Sequence, residues 1–389
     1  MKTDPPHILC INPWIHDFAA YDFWARPLGL LTIAAMLRKQ GLNVSFLDCL
    51  DRFHPNETRS PKVLWDGRGP FRKSPIDLPE GLETLEKTYC RYGISPEWFR
   101  QDLEALPKPD LVFVTSLMTY WASGVKETIQ AVKSVYPDVP VVLGGVYASL
   151  CHDHALKTSG ADRVVKGPAE PQLKQILSEF TGIELAETGW TGALDDQPVP
   201  AFDLRNRIAY VPLVTSRGCP FNCDYCASSF LEPRLRRRSP DSVFKEILYW
   251  HTRHGVINFA FYDDALLVQA DQYAYPLFEQ VIASGMKLNF HTPNALHIRA
   301  IDRTAAQLML KSGFKTIRLG LETTDFSAER PHDHKVGRGQ FFEAVDHLLA
   351  AGFKSEQIGA YLLCGLPGQD LGEVEMSMDL VHQTGITPV

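Results

Sequence analysis

Short apolar runs, each closed by a polar or proline-glycine turn and each followed by a segment with helical apolar spacing, recur along the whole chain. In the first half the runs fall at 7–11, 43–47, 111–115, 139–143 and 161–165, and the helical segments at 28–40, 124–135 and 171–180. A strand that reads as a continuous apolar run is buried on both faces, and strands alternating with helices bury themselves in a parallel sheet. The pattern therefore predicts an α/β doubly wound, Rossmann-like domain over 1–180. One excursion interrupts it: residues 52–109, rich in proline, glycine, aromatic and basic residues, read as an insert that serves as a functional lid or stays disordered. Periodicity fades over 181–208, which reads as a linker.

A second alternation starts at Tyr210, with strands expected at 211–215, 257–262, 288–291, 315–321 and 359–363. Helices are expected at 240–251, 270–283, 303–311, 338–350 and 372–383. Every strand ends in a polar or cysteine-bearing loop. In βα barrels the loops at the carboxyl ends converge on the active site. The domain 209–389 is thus expected to be a partial (β/α)6 barrel, and 385–389 reads as the opening of a sixth strand that is either very short or truncated.

With 389 residues, 45% hydrophobic and 22% charged, the chain has the apolar content for two folded cores. The net charge of -7 provides no field to draw in a polyanion, so no DNA partner is expected. There is no apolar run of signal-peptide length at the amino terminus and none of the roughly 18 residues that a membrane span needs. A soluble, cytoplasmic protein is expected, without a membrane partner.

The chemistry is announced by the cysteines. Of eight, Cys10, Cys49, Cys90, Cys151 and Cys364 are scattered singly, mostly in or beside apolar runs where a thiol acts as a small hydrophobe. The other three crowd into Cys219-Pro220-Phe221-Asn222-Cys223-Asp224-Tyr225-Cys226, in a loop after a strand. Three thiolates hold three corners of a cubane and leave the fourth iron open to an outside ligand. A structural zinc site wants four closed ligands, but no second cysteine pair follows, and His251 and His254 lie beyond a helix. A plain electron carrier usually has a fourth cysteine.

Cys219, Cys223 and Cys226, with the aromatic Tyr225 before the last, resemble the hallmark of the radical S-adenosylmethionine (SAM) superfamily, a resemblance that extends over 210–389. It implies a [4Fe-4S] cluster whose open iron is chelated by the amino and carboxylate groups of S-adenosyl-L-methionine. One electron, from a reductant such as flavodoxin or ferredoxin, then cleaves SAM to a 5′-deoxyadenosyl radical that abstracts hydrogen from substrate. Asp263 and Asp264 stand where that family places the acceptor for the methionine ammonium, and a helix cap is their structural alternative. Glu322 resembles an acceptor for the nucleoside or methionine end, and Asn294 is a weaker candidate of the same kind. Gly365, in Gly365-Leu366-Pro367-Gly368, resembles the turn beside adenine. Lys335, Arg330 and the run Arg234, Arg236, Arg237 and Arg238 compete for the methionine carboxylate, although most of those arginines are expected on a solvated face.

The first half resembles the cobalamin-binding domain that precedes many radical SAM domains, through Asn12-Pro13, Thr115-Ser116-Leu117, Gly144-Gly145 and Gly167-Pro168-Ala169-Glu170. The Asp-x-His-x-x-Gly signature that gives cobalt a histidine is absent, which leaves cobalamin open as a third cofactor. The leading expectation is a radical SAM enzyme acting on a small molecule or modified polymer, by methyl transfer where cobalamin is present. Cobalamin-independent rearrangement, oxidation or thiolation is the second, and an iron-sulfur electron carrier or sensor the third. No catalytic residue for the substrate step is assigned.

Overall fold

The computed structural model describes residues 5–184, 192–324, 326 and 336–389, in two compact units, Met1–Ala209 and Tyr210–Val389. In the first, strands β1 (His7–Asn12), β2 (Asn43–Asp48), β3 (Leu111–Val114), β4 (Val141–Leu143) and β5 (Arg163–Val164) form a parallel sheet of order β5-β4-β3-β1-β2. The period of two along a strand explains how one apolar run serves two cores. Ile8 and Cys10 join Leu111 and Phe113 in one cluster, under α1 (Leu28–Lys39) and α4 (Leu173–Thr181). Leu9 and Ile11 join Val112 and Val114 in the other, under α2 (Pro96–Ala105) and α3 (Ala122–Val135). Strand order reverses between β1 and β3, and in open α/β sheets that reversal leaves a ligand crevice above the carboxyl ends.

The excursion 52–109 is folded. Its Cys90–Tyr92 and Lys73–Pro75 form an antiparallel sheet with Ile15–Asp17, and its Gly69–Pro70 pairs with Tyr21–Asp22, so the insert is stitched to the segment after β1. Buried Asp22 accepts from Arg26 at 2.7 Å and Arg52 at 3.0 Å. Breaking such a pair from one side costs about 3–5 kcal/mol, because it strands a buried charge. The part of 181–208 that precedes the second unit is also tied down: Ala201 N–H donates to the Leu31 carbonyl at 3.0 Å, Arg38 pairs with Asp203 at 2.7 Å, and Arg205 pairs with Asp48.

The second unit carries β6 (Val211–Leu213), β7 (Asn258–Phe261), β8 (Asn289–His291), β9 (Phe314–Glu322), β10 (Ile358–Leu362) and β11 (Thr387–Pro388), paired in parallel in chain order among the described residues. Helices α5 (Pro240–His254), α6 (Ala274–Ser284), α7 (Arg303–Ser312), α8 (Arg338–Ala351) and α9 (Leu371–Gln383) alternate with them, the connectivity of a partial (β/α)6 barrel. The sixth strand is present as β11, with Thr387 opposite Gly359 and Pro388 opposite Ala360. Helix starts follow local chemistry: Ser239, before Pro240, caps α5 by accepting from Ser242 N–H at 3.3 Å, and Gly255 closes it in the left-handed region. Buried Phe261, Phe290 and Phe314 join Phe278 of α6 in an aromatic core, with centroids 5.1–6.4 Å apart. No helix among the described residues is long and apolar enough to cross a membrane.

One titration reports on the insert. Burial raises the Glu127 carboxyl, but hydrogen bonds from His16 and Arg91, with the guanidinium charge, outweigh it and bring the pKa to about 2. A depressed carboxylate pKa stabilises the fold above the unfolded value of about 4.3, and that contribution fades as pH falls toward the folded value. Glu127→Gln is therefore expected to lower the urea midpoint at pH 7, with the gap to wild type narrowing from about pH 4.3 downward. A gap independent of pH would contradict this assignment.

Candidate functional site

The loop holding the three cysteines leaves β6 and is pinned where it begins. Asp263, buried at the end of the β7 run, accepts from Thr215 N–H at 3.0 Å, Thr215 Oγ1 at 2.6 Å and Ser216 Oγ at 2.7 Å. Burial raises its pKa against the pull of those donors. A two-stranded antiparallel ribbon, Ser216–Arg217 with Arg236–Arg237, closes the base, and Glu232 pairs with Arg236 at 2.9 Å and Arg217 at 3.7 Å. Gly218 is required there, because it sits at φ +85° and an added Cβ would lie 2.7 Å from the Arg234 carbonyl oxygen. At the tip, Cys226 N–H donates to the Cys223 carbonyl at 3.0 Å, and the Phe221 ring stacks on His297 with centroids 4.1 Å apart.

Cys219, Cys223 and Cys226 line one cavity of about 340 Å³ at the carboxyl ends of the strands, together with Tyr225, Asp264, Asn294 and Glu322. Glu322 reaches it through a distortion: the β9–β10 register shifts between Gly320 and Glu322, and Glu322 takes φ +69°. A non-glycine residue there is strained by about 1–3 kcal/mol, and such residues cluster at functional sites. Asn294 Nδ2 donates to the Tyr262 carbonyl at 2.8 Å, which fixes the amide at the cavity wall. Desolvation raises the Asp264 pKa, opposed by a hydrogen bond from Ser228. Burial also raises the Cys219 thiol, and the neighbouring Asp264, Cys226 and Cys223 add to the rise, so the three sulfurs and Asp264 share one electrostatic environment.

Other expected residues sit elsewhere. Asp263 does not line the cavity; its carboxylate is spent on the loop base, as above. Gly365, at φ +89°, lies in an exposed turn where its N–H donates to Gln369 Oε1 at 2.8 Å, and it does not line the cavity either. Lys335 and Arg330 lie outside the described residues. Most of the arginine run is not on a solvated face: Arg236 pairs with Glu232, Arg237 donates to the Val268 carbonyl and stacks on Tyr273, and Arg238 pairs with buried Glu246 at 2.6 Å. Arg234 alone of the four is exposed.

Ser228, His297 and Tyr361 also line the cavity and were not expected there. Ser228 had a weak signal, two positions past the last cysteine. His297 had none, because its place comes from an isolated pairing of Leu296 with Leu319 of β9. Among the described residues no three His, Cys, Asp or Glu side chains converge on a point that one metal ion would occupy.

In the first unit the turns that follow β3 and β4 are built of glycines and serines. Gly145 takes φ +101°, and a Cβ there would meet the Ser116 carbonyl oxygen at 2.2 Å. Ser116 Oγ donates to the Gly144 carbonyl at 2.7 Å and Ser149 Oγ to that of Gly145 at 2.8 Å, while Gly167 N–H donates to Ser149 Oγ at 3.0 Å. Leu117, Met118 and Tyr120, just beyond β3, are exposed, an apolar surface at a ligand-binding edge. His16, in the segment after β1, has Nε2 on Glu127 at 2.6 Å.

Residues 213–381 match the Radical SAM superfamily, and residues 83–177 match the B12 binding domain. The chain carries a B12-binding domain and a radical SAM domain. Those two domains imply a [4Fe-4S] cluster, SAM and cobalamin; the residues fit, with three cysteines and, among the described residues, no fourth on one cavity of the second unit, and a tight glycine turn beside exposed Leu117, Met118 and Tyr120 in the first. The chain is similar to cytidylyl-2-hydroxyethylphosphonate methyltransferase of Streptomyces wedmorensis, 23% identical over 98% of this chain and 78% of the relative. It is also similar to hopanoid C-3 methylase of Methylococcus capsulatus, 24% identical over 89% of this chain and 62% of the relative. In fold it resembles the radical SAM methyltransferase TsrM of Kitasatospora setae, solved with cobalamin and a [4Fe-4S] cluster, at TM-score 0.69, 15% identity, and coverage of 98% of this chain and 71% of that one. The cobalamin-dependent SAM radical enzyme OxsB follows at TM-score 0.65 and 14% identity, over 99% of this chain and 53% of that one.

Replacing Cys219, Cys223 or Cys226 by Ala is expected to abolish cluster assembly, measured as iron and sulfide per chain after anaerobic reconstitution. Cys10→Ala is expected to leave it intact, since Cys10 is buried in the first unit with its thiol pushed up to about 12. Asp263→Asn is expected to weaken cluster retention by loosening the loop, whereas Asp264→Asn keeps the iron and weakens SAM binding. The reverse pattern for the two aspartates would overturn their assignment.

Proposed function

We propose that this radical SAM enzyme is a cobalamin-dependent methyltransferase that transfers a methyl group from SAM to a small molecule or modified polymer. The reading is carried by one observation: three cysteines, Asp264, Asn294 and Glu322 share a cavity of about 340 Å³, the size of a small-ligand pocket. When bound, the cluster supplies one electron to SAM and cobalamin supplies a methyl carrier. The methyltransferase names of the relatives support the reaction class.

In this reading the residues divide the work of positioning. Cys219, Cys223 and Cys226 hold three irons, and Asp264 at the cavity rim accepts the methionine ammonium through a charge-assisted hydrogen bond. Glu322, held by its strained backbone, takes hydroxyls at the nucleoside end, and the Asn294 carbonyl oxygen adds a further acceptor. Tyr225 walls the cavity, and Gly365 shapes a turn outside it. Lys335 remains our candidate for the methionine carboxylate by the resemblance alone. Ser116, Gly144-Gly145 and Ser149 cradle the corrinoid, and with His16 committed to Glu127 no histidine of that segment is assigned to cobalt. The domain division is 1–180, 181–208 and 209–389. A flavodoxin or ferredoxin is the proposed reductant. Five cysteines outside the cluster loop that form no disulfide, together with a reducible cluster, favour the cytoplasm.

Anaerobically reconstituted protein is expected to carry about four irons per chain and to retain a corrinoid absorption band. With SAM and a reductant it is expected to form 5′-deoxyadenosine and, with substrate, S-adenosylhomocysteine. A corrinoid-free protein that still makes 5′-deoxyadenosine would favour cobalamin-independent chemistry. A cluster with no SAM cleavage would favour the electron carrier.

A further inference from the structure

We infer that Ser228 is a positioning residue for the cluster, directing both its backbone N–H and its hydroxyl at the sulfur of Cys226 and so raising the cluster's reduction potential. The inference rests on the cluster reading of the three cysteines and adds a role that none of the SAM contacts provides. Cys226 Sγ lies 3.3 Å from Ser228 Oγ and 3.5 Å from Ser228 N. The turn that donates Cys226 N–H to the Cys223 carbonyl brings the chain round so that Ser228, at the start of the short helix Ser228–Leu231, faces back onto this sulfur. Ser228 also lines the cavity, with Cys226 and Asp264 as fellow walls.

The direction of the contact depends on what the sulfur holds. A free thiol gives its proton to the serine oxygen, as the geometry allows. A sulfur on iron is a thiolate with no proton to give, so the hydroxyl must turn and donate. It then joins the backbone N–H, and one sulfur receives two donors. Reduction adds negative charge to the cluster, much of it on sulfur, and donors aimed at sulfur stabilise the reduced state more than the oxidised one.

A serine is neutral, so the effect is dipolar, short in range, and lost when the oxygen is removed.

The test is an anaerobic redox titration, followed by electron paramagnetic resonance, of the reconstituted full chain as wild type, Ser228→Ala and Ser228→Thr. Iron content and the cluster absorption band are expected to match in all three. The Ser228→Ala midpoint is expected to fall by an amount corresponding to roughly a tenfold loss of reduced over oxidised cluster at fixed poise, ~59 mV for one electron, with Ser228→Thr near wild type. Equal midpoints in wild type and Ser228→Ala would overturn the inference while leaving the cluster reading intact. So would equal shifts in the Ala and Thr variants, or loss of the cluster in Ser228→Ala alone, since each makes the residue structural. A wild-type chain that assembles no cluster would overturn the cluster reading and this inference with it.

Discussion

Buried Asp263 is the fixed point of the second unit's chemistry. Three donors from Thr215 and Ser216 converge on it, and the chain between Gly218 and the Arg236–Arg237 strand is suspended from that anchor. A loop that must present three sulfurs to one cluster has few contacts of its own, and here much of it is exposed. Its geometry has to be imposed from below, by a carboxylate whose burial is tolerable only while its donors stay in place. The Arg237 guanidinium, itself half-buried, lies within electrostatic reach and helps to offset that burial.

From this anchor the remaining features follow in order. Parallel strands deliver loops to one end of the sheet, the register shift in β9 turns Glu322 into the cavity, and the Leu296–Leu319 pairing sets His297 against Phe221. The first unit solves a parallel problem differently. There the turn after β4 packs directly against the one after β3, and only glycine at 145 permits that approach to the Ser116 backbone. Two serine hydroxyls fix the glycine turn by bonding its carbonyls.

Much of this was legible in the residues. The apolar runs located the core strands because a strand covered on both faces has no polar alternation to blur it, and three cysteines in eight positions have few chemical uses. What stayed hidden depended on contacts distant in sequence. Asp263 and Asp264 are identical in kind and adjacent, yet side chains alternate faces at the end of a strand, so one is buried under the loop and the other opens to the cavity. The insert's strands are two or three residues long, too short to show a period, and they pair with partners on the far side of β2. Arg237 and Arg238 looked like a solvated run because nothing nearby in sequence announces Val268, Tyr273 or Glu246 as partners.

The account stands on one open iron corner in a cavity built by three cysteines. Electron-nuclear double resonance of the reduced, reconstituted enzyme, with SAM carrying ¹⁵N in its amino group and ¹⁷O in its carboxylate, tests that corner directly. Resolved hyperfine coupling to both labels is the expected result, because both groups bind the same iron. A cluster signal with no coupling to either label would mean that the corner is closed, and the enzymatic reading would fail with it.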